Sequence, residues 1–418
     1  MTEPRLLAPL VADAPVTLEQ HRAVYGELPD LAGRHGPERL LADLRAAGLR
    51  GRGGAAFPAA VKATTAASGR RPVVVANGSE GEPMSAKDRV LLTLLPHLVI
   101  DGALLAARAV GAREVVIAAP ADVLGAASAA LSERGRGDDP HVKWRLAASP
   151  QSYVGGEESA LIAHLEGKPA LPRLKPPVPA ERGLNGRPTL VQNVETLAQL
   201  ALIARYGPDW FRAEGTLEHP GTTLVTVAGA VAQPGVYEIA LGTPLPSVVA
   251  LAGGALEPIR ALLVGGYFGA WVDGDGDGFT FDSESLRGAG TGVGAGVIVA
   301  LGDSACPVAE TARLATWLSR ESAGQCGSCV HGLAALAGVL DRFATARTTP
   351  GDGERLVRWT QMVEGRGACN HPSGAARMIA SATRVFAHEL NDHARRGHGR
   401  ACMVQPTLRT PLHERRAA

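Results

Sequence analysis

Residues 48–62, Gly-Leu-Arg-Gly-Arg-Gly-Gly-Ala-Ala-Phe-Pro-Ala-Ala-Val-Lys, constrain the fold more than any other stretch. Four glycines within residues 48–54 remove the Cβ atoms that keep a backbone away from a bulky anion, and they leave N–H groups available to it. Lys62 then supplies a point charge where a phosphate needs one. The spacing Gly51-x-Gly53-x-x-Ala56 imitates a dinucleotide fingerprint. That fingerprint, however, follows a strand and opens a helix, whereas here a helical pattern over residues 37–47 comes first. The segment reads as a phosphate or flavin cradle and not as an ordinary Rossmann turn.

The neighbouring patterns predict α/β layering. Residues 72–76 form a β-branched run that reads as a buried strand, and it delivers a loop, residues 77–83, carrying Glu80 and Glu82. Acids at the C-terminal end of such a strand sit where α/β folds place ligands, although a solvated acidic turn has the same look. A helix-then-strand unit follows over residues 91–110 and 114–119. Gly155, Gly156, Glu157 and Glu158 precede an apolar helix from about Ser159, where acids offset the helix dipole or accept from a ribose. Residues 1–36 read as a loose arm and 215–222 as a linker. Residues 223–272 with a last strand at 297–301 suit a small β-grasp domain, and from Pro307 onward the helical period predicts a bundle. The implied domains are 1–215, 216–302 and 303–418.

Composition excludes several functions. Among 418 residues, 42 Lys and Arg face 41 Asp and Glu, so no global field favours nucleic acid or an anionic membrane. The most apolar window, residues 91–110, is broken by Pro96, His97, Asp101 and Arg108, and no signal-peptide pattern is present, so a cytoplasmic protein is expected. Five cysteines in a reducing compartment suggest metal or redox work. Cys326 and Cys329 form a Cys-x-x-Cys opening a helix, and Cys369 follows at another helix start. Three such thiolates can hold the iron of a cluster; zinc with His331 or His371, or a bare dithiol, are the alternatives. Neither Cys306 nor Cys402 stands out as a ligand. Asp273, Asp275, Asp277 and Glu284 match a calcium-loop pattern without its flanking helices, and read as an acidic hairpin tip.

In order along the chain, GLRGRGGAAFP, EGEP followed by KDR, GGEES, RLKPP and RPTLVQNVETL resemble the flavin-bearing, NADH-oxidising subunit of respiratory complex I, shared with NAD-linked hydrogenases and formate dehydrogenases. The resemblance runs from about Leu44 to the last helices. It implies a Rossmann-like FMN- and NADH-binding domain, an SLBB ubiquitin-like domain and a helical bundle with a [4Fe–4S] cluster. Carried over by position, Gly51, Arg52, Gly53, Lys62, Asn77, Ser79, Glu80, Gly156, Glu157, Gln192 and Asn193 fall where the family holds FMN. Gly54, Phe57, Glu82, Glu158 and Lys175 fall where it holds NADH, with Glu82 orienting the nicotinamide. Cys326, Cys329 and Cys369 fall on cluster ligands.

The departures are specific. Ser79 and Gln192 replace the usual aspartate and asparagine beside the flavin. Thr65 and Val178 replace two phenylalanines that stack on the adenine, leaving Phe57, and each such stack is worth ~1–3 kcal/mol, which implies weak NADH binding. Ala323 stands where the family has the first cluster cysteine, which implies a labile or three-iron cluster whose fourth position falls to His331, His371, solvent or nothing. The implied activity is hydride transfer from NADH to FMN, then single-electron transfer through the cluster to a ferredoxin-like or quinone-reducing partner. Two other readings are a non-catalytic electron-transfer or scaffold subunit, and a zinc-stabilised nucleotide-binding module.

Overall fold

The structure, a computed structural model, describes residues 4–10, 14–31, 36–135, 141–396, 402 and 405–411. In chain order the first part holds α1 (Leu18–Tyr25), α2 (Gly36–Ala47), α3 (Ala59–Ala67), β1 (Val73–Asn77), α4 (Lys87–Leu94), α5 (Pro96–Val110), β2 (Glu114–Ala119), α6 (Leu124–Arg134), β3 (Lys143–Ala148), α7 (Glu158–Leu165), β4 (Thr189–Asn193) and α8 (Val194–Arg212). Its strands form one parallel sheet in the order β3-β2-β1-β4. Val73, Val74, Val75 and Ala76 are wholly buried, because helices cover both faces of the sheet and the strand needs apolar side chains on each.

Two expectations are corrected here. The apolar window 91–110 is not one helix: α4 begins at Lys87, and the chain bends by 95° before α5, whose first residue is Pro96. Proline tolerates the first helical turn because its missing N–H has no partner there. Among the described residues no single helix is long and apolar enough to cross a membrane, and nearly every residue of α5 is buried in the protein. The N-terminal arm is also anchored. Thr17 and Gln20 form a capping box for α1, and buried His21 bonds Asp101 at 2.8 Å. Burial alone raises the Asp101 carboxyl, but the His21 hydrogen bond with Arg134 and Arg205 outweighs it and holds the group well below the usual carboxylate range.

Helices α5 and α8 cross closely at Gly102, where a Cβ would lie 1.9 Å from the Leu197 carbonyl oxygen. Alanine gains about 1 kcal/mol of helix propensity over glycine, while a clash with backbone costs up to about 3 kcal/mol, so the clash wins. Gly102→Ala is expected to lower the unfolding free energy by about 2 kcal/mol, read from denaturant midpoints at unchanged slope.

The second sheet comprises β5 (Thr222–Gly229), β6 (Gly235–Ala240), β7 (Ile259–Val264), β8 (Ala270–Asp273) and β9 (Val297–Gly302), with α9 (Leu245–Leu251) between β6 and β7. Its order is β6-β5-β9-β7-β8, with β5 and β9 parallel and the other pairs antiparallel, a β-grasp arrangement. Strands β7 and β8 form a hairpin turned through Gly265–Gly269. Of the calcium-pattern acids Asp273 ends β8 and the others follow it, the Asp277 N–H donating to Asp275, and it is a strand, not a helix, that leads into them. Four helices then build the bundle: α10 (Pro307–Arg320), α11 (Ala334–Ala344), α12 (Asp352–Val363) and α13 (His371–Val385), followed by α14 (Ala387–Arg396). Residues 405–411 run back over α10, where Glu310 accepts from the Thr407 and Leu408 amides at 2.9 and 3.2 Å.

Candidate active site

Strands β1 and β4 end side by side, with Asn77 in register with Asn193. From β1 the sheet grows to one side through β2 and to the other through β4, and such a reversal opens a crevice at the carboxyl ends of the strands. A cavity of about 490 Å³ occupies it. Its wall draws on residues 52–56, the loop from Asn77 to Asp88, Tyr153 to Glu157, residues 291–295, and Cys369 to His371.

The glycine loop is closed by its own backbone. Gly51 N–H donates to the Phe57 carbonyl at 2.9 Å, and Arg52 N–H donates to Thr196 Oγ1 at 2.9 Å. The next four amides, Gly53 to Ala56, have no hydrogen-bond partner among the described residues, and all four residues line the cavity. Gly54 has φ +107°, a conformation that excludes most side chains. At the facing wall Ser79 Oγ is buried without a partner, and a Cβ on Gly156 would come 3.6 Å from Ser79 Cβ. Unpaired donors around a void of this size fit a polar, flat ligand with an anionic tail, which is what FMN is.

Beneath the cradle lies a buried charge cluster. Lys87 Nζ is 2.6 Å from Asp88 and 3.0 Å from Glu195, and it donates to Asn193 Oδ1 at 3.3 Å. Burial would lower the Lys87 pKa, but the Asp88 and Glu195 carboxylates outweigh it and raise it above its ordinary value. Asn193 Nδ2 in turn donates to Asp88 at 2.6 Å. Arg52 is turned into this cluster: its guanidinium donates to the Thr222 carbonyl at 3.0 Å and stands 3.7 Å from Glu195. The arginine expected at the flavin thus braces the loop from beneath.

Glu80 and Glu82 divide their work. Glu80, at φ +29°, accepts from the Asp88 and Arg89 amides at 2.9 and 3.0 Å and so caps α4. Glu82 is buried, accepting from Tyr267 N–H at 2.8 Å and from the Tyr153 hydroxyl at 3.1 Å. Burial pushes its pKa up from 4.5 to about 7. The folded state therefore holds this proton more tightly than the unfolded chain does. Stability from this group is full below pH 4.5 and falls as pH rises through about 7. Glu82→Gln is expected to remove that slope, so that variant and wild type diverge by about 3 kcal/mol across the window in denaturation series at several pH values.

Other expected residues lie beside the cavity. Lys62 Nζ pairs with Glu158 at 2.7 Å and donates to the Val191 carbonyl at 3.2 Å, while Lys175 bridges Glu157 and Glu158, each at 2.8 Å. Burial raises the Glu158 carboxyl, but the two lysines outweigh it and hold it below its usual range. Glu157 is the N-cap of α7, accepting from Ser159 and Ala160 N–H, so the helix-start role and the cavity role coincide in one side chain. Gln192 is buried on β4 opposite Ala76, and Phe57 is half exposed at the mouth of the loop. Thr65 bonds back to the Val61 carbonyl at 3.0 Å and Val178 packs against the main core, so neither presents an aromatic face. Sequence reasoning missed Arg377, Phe268 and residues 291–295 in the cavity wall. The only local signal was the glycine density of 288–296, since Gly294 fits against Gly265 where a Cβ would lie 2.1 Å from a carbonyl oxygen.

Cys326 precedes and Cys329 lies within a π-helical turn, Ser328–Leu333, and Cys369 stands just before α13. Burial raises the Cys326 thiol, but N–H groups of Ala368, Cys329 and Ser328 outweigh it and hold it below its ordinary value. Burial, with Cys326 and Cys369 nearby, pushes Cys329 up to about 12. These three sulfurs sense one another without closing to within 4.8 Å as a group, a spread that suits a multi-iron cluster better than one zinc ion. Ala323 offers no ligand atom and His331 is exposed. His371 is buried: its Nε2 donates to the Leu318 carbonyl at 2.8 Å, which leaves Nδ1 with a lone pair and no partner among the described residues.

Comparison with known proteins accords with this geometry. The Nuo51 FMN-binding domain matches residues 44–202, the SLBB domain residues 224–263, and the NADH-ubiquinone oxidoreductase-F iron-sulfur binding region residues 309–393. An F-type NADH-quinone oxidoreductase subunit of Rhizobium meliloti is 33% identical over 386 residues, covering 88% of this chain and 92% of its own. Its counterpart in the NADH-quinone oxidoreductase of Streptomyces coelicolor is 31% identical over 434 residues, covering 98% and 96%. A solved chain of NAD+-reducing [NiFe]-hydrogenase in the H2-reduced state superposes with TM-score 0.80 at 33% identity, over 87% of this chain and 64% of that one. The chain thus spans somewhat less than two thirds of that hydrogenase chain. It belongs to the F-type subunits of NADH-quinone oxidoreductase, a family of NADH-oxidising oxidoreductases that carry FMN and an iron–sulfur cluster.

Proposed function

We propose that this chain passes electrons from NADH to a one-electron protein acceptor of ferredoxin-like chemistry, as one subunit of a larger oxidoreductase in a reducing, cytoplasmic setting where its five cysteines stay reduced. When bound, FMN supplies two-electron acceptance from the nicotinamide and one-electron release to the cluster. The observation that carries the reading is that Cys369 lines the same cavity as the glycine loop and the two asparagines. One of the three proposed cluster thiols and the cofactor cradle thus share one wall.

The residue roles follow from position. The amides of Gly53 to Ala56 take the phosphate, with Gly51 and Arg52 bracing their loop and Lys62, paired with Glu158, as a further cation of the FMN site. Asn77, Ser79, Glu80, Gly156, Glu157, Gln192 and Asn193 form the ring and ribityl side. Gly54, Phe57, Glu82, Glu158 and Lys175 face NADH, with Glu158 and Lys175 at the ribose end. Cys326, Cys329 and Cys369 hold the cluster, and the free lone pair of His371 makes it the better fourth donor than exposed His331. The protein's contribution to hydride transfer is orientation and exclusion of water, for which no acid–base residue is required.

Anaerobic titration of the FMN-loaded chain with NADH tests this: flavin bleaching is the expected result, and failure of the chain to take up FMN overturns it. An NADH-silent flavin that a reduced partner still bleaches would favour the non-catalytic subunit. With Thr65 and Val178 where the family stacks two phenylalanines, affinity for NADH is expected to be low. Thr65→Phe is expected to lower KM about tenfold at unchanged kcat, since one base stack is worth ~1–3 kcal/mol.

A further inference from the structure

Away from the cavity, three ligand-type side chains from distant parts of the chain converge. Cys306 Sγ lies 3.5 Å from His393 Nε2, Cys402 Sγ lies 3.6 Å from the same nitrogen, and the two sulfurs are 3.1 Å apart. Among the described residues this is the group of three such atoms that closes to within 4.8 Å. Cys306 and Cys402 fall outside residues 309–393, the stretch that matches the iron-sulfur binding region. We propose that Cys306, His393 and Cys402 form a zinc site, separate from the cluster thiolates.

Each donor is prepared for a metal. His393 Nδ1 sits 3.1 Å from the Phe343 carbonyl oxygen. A carbonyl only accepts, so Nδ1 carries the proton and Nε2 presents its lone pair to the two sulfurs, the usual outer support of a ligating histidine. Cys306 is the N-cap of α10 and accepts from Ala309 N–H at 3.4 Å, which fixes the sulfur in place beside His393. Cys306 and His393 are buried, and Cys402 is partly exposed, which leaves an entry path and a fourth position for solvent.

The spacing decides between ion and disulfide. Tetrahedral zinc with two sulfurs and an imidazole places sulfur and nitrogen about 3.6 Å apart and the sulfurs about 3.8 Å apart. Both sulfur–nitrogen distances, 3.5 and 3.6 Å, already match; the sulfurs, at 3.1 Å, need only a small rotation of the less buried Cys402. A disulfide would need the sulfurs at about 2.05 Å and would leave the prepared imidazole without a role. The soft sulfur and imidazole donor set selects zinc over oxygen-loving cations. The ion would pin the return of the chain into residues 405–411, where Trp317 donates to the Pro411 carbonyl at 2.7 Å and the Tyr267 hydroxyl bonds the Arg409 carbonyl. Tyr267 also supports Glu82, so the site would stiffen one wall of the cavity from behind.

The test uses the full chain, purified with reductant and equilibrated with zinc under a competing chelator. One zinc per chain is expected in wild type and in Cys369→Ser, and none above blank in Cys402→Ser or His393→Gln. Cobalt added to the wild-type chain provides a measurement independent of variant folding: thiolate-to-cobalt charge transfer with tetrahedral ligand-field bands supports the site. The proposal is overturned by a wild-type chain that takes neither metal, by zinc retained in Cys402→Ser, or by a Cys306–Cys402 disulfide in the reduced preparation.

Discussion

Cys329→Ser is expected to separate the two halves of the reaction: NADH still bleaches the flavin, while electron delivery to a protein acceptor falls to background. The reason is how little ligation the site has in reserve. Ala323 has no donor atom, so on the proposed ligation the cluster would rest on Cys326, Cys329 and Cys369 with one non-cysteine position. Cys329 is buried at 3% exposure between the other two thiols, and it sits in a π-helical turn that aims it inward. Removing it leaves two thiolates, too few to hold a four-iron cluster that takes four ligands. Iron and acid-labile sulfide should both drop out of the purified variant, while NADH-dependent reduction of a small dye at the flavin persists. A variant that kept its iron and its protein-acceptor rate would show that Cys329 is not a ligand.

Lys87→Met is expected to destabilise the chain by ~3–5 kcal/mol, the cost of breaking a buried ion pair from one side. Its ammonium stands between Asp88 at 2.6 Å and Glu195 at 3.0 Å, and both acids are buried. Arg52, at 3.7 Å from Glu195, cannot neutralise both. Without the cation, the Asp88 carboxyl, which burial already pushes up to about 7, favours its protonated form still more, so the deficit grows with pH above the ordinary carboxyl range and shrinks towards pH ~4. Asn193, which bonds both Lys87 and Asp88, lines the cavity, so flavin retention on gel filtration should fall with stability. Lys87→Met with Asp88→Asn should recover part of the loss. A single variant as stable as wild type at neutral pH would mean the cluster is wetter than its burial indicates.

Much of the layout was legible before any coordinates. The β-branched run at 73–76 has no other use than a strand buried on two faces, and the helical period from Pro307 could only build a bundle. The glycine loop announced unpaired amides, and they line the cavity. Elsewhere local pattern misled. The weakly periodic arm carries α1 because His21 finds Asp101, eighty residues away, and the window 91–110 divides because Pro96 and the packing of α5 on α8 set the bend.

What the amino-acid order determined by itself is the set of periods, breakers and cofactor-type loops, because these act over a few residues and need no knowledge of the chain's path. What only the tertiary structure decided is the partnership of isolated polar groups. Arg52 turned inward to Glu195, Lys62 joined Glu158, and Cys306 met His393 and Cys402 across separations of 87 and 96 residues. A buried polar atom must find a partner somewhere, and its type says what chemistry that partner needs. Which distant residue supplies it depends on how the packed elements close on one another.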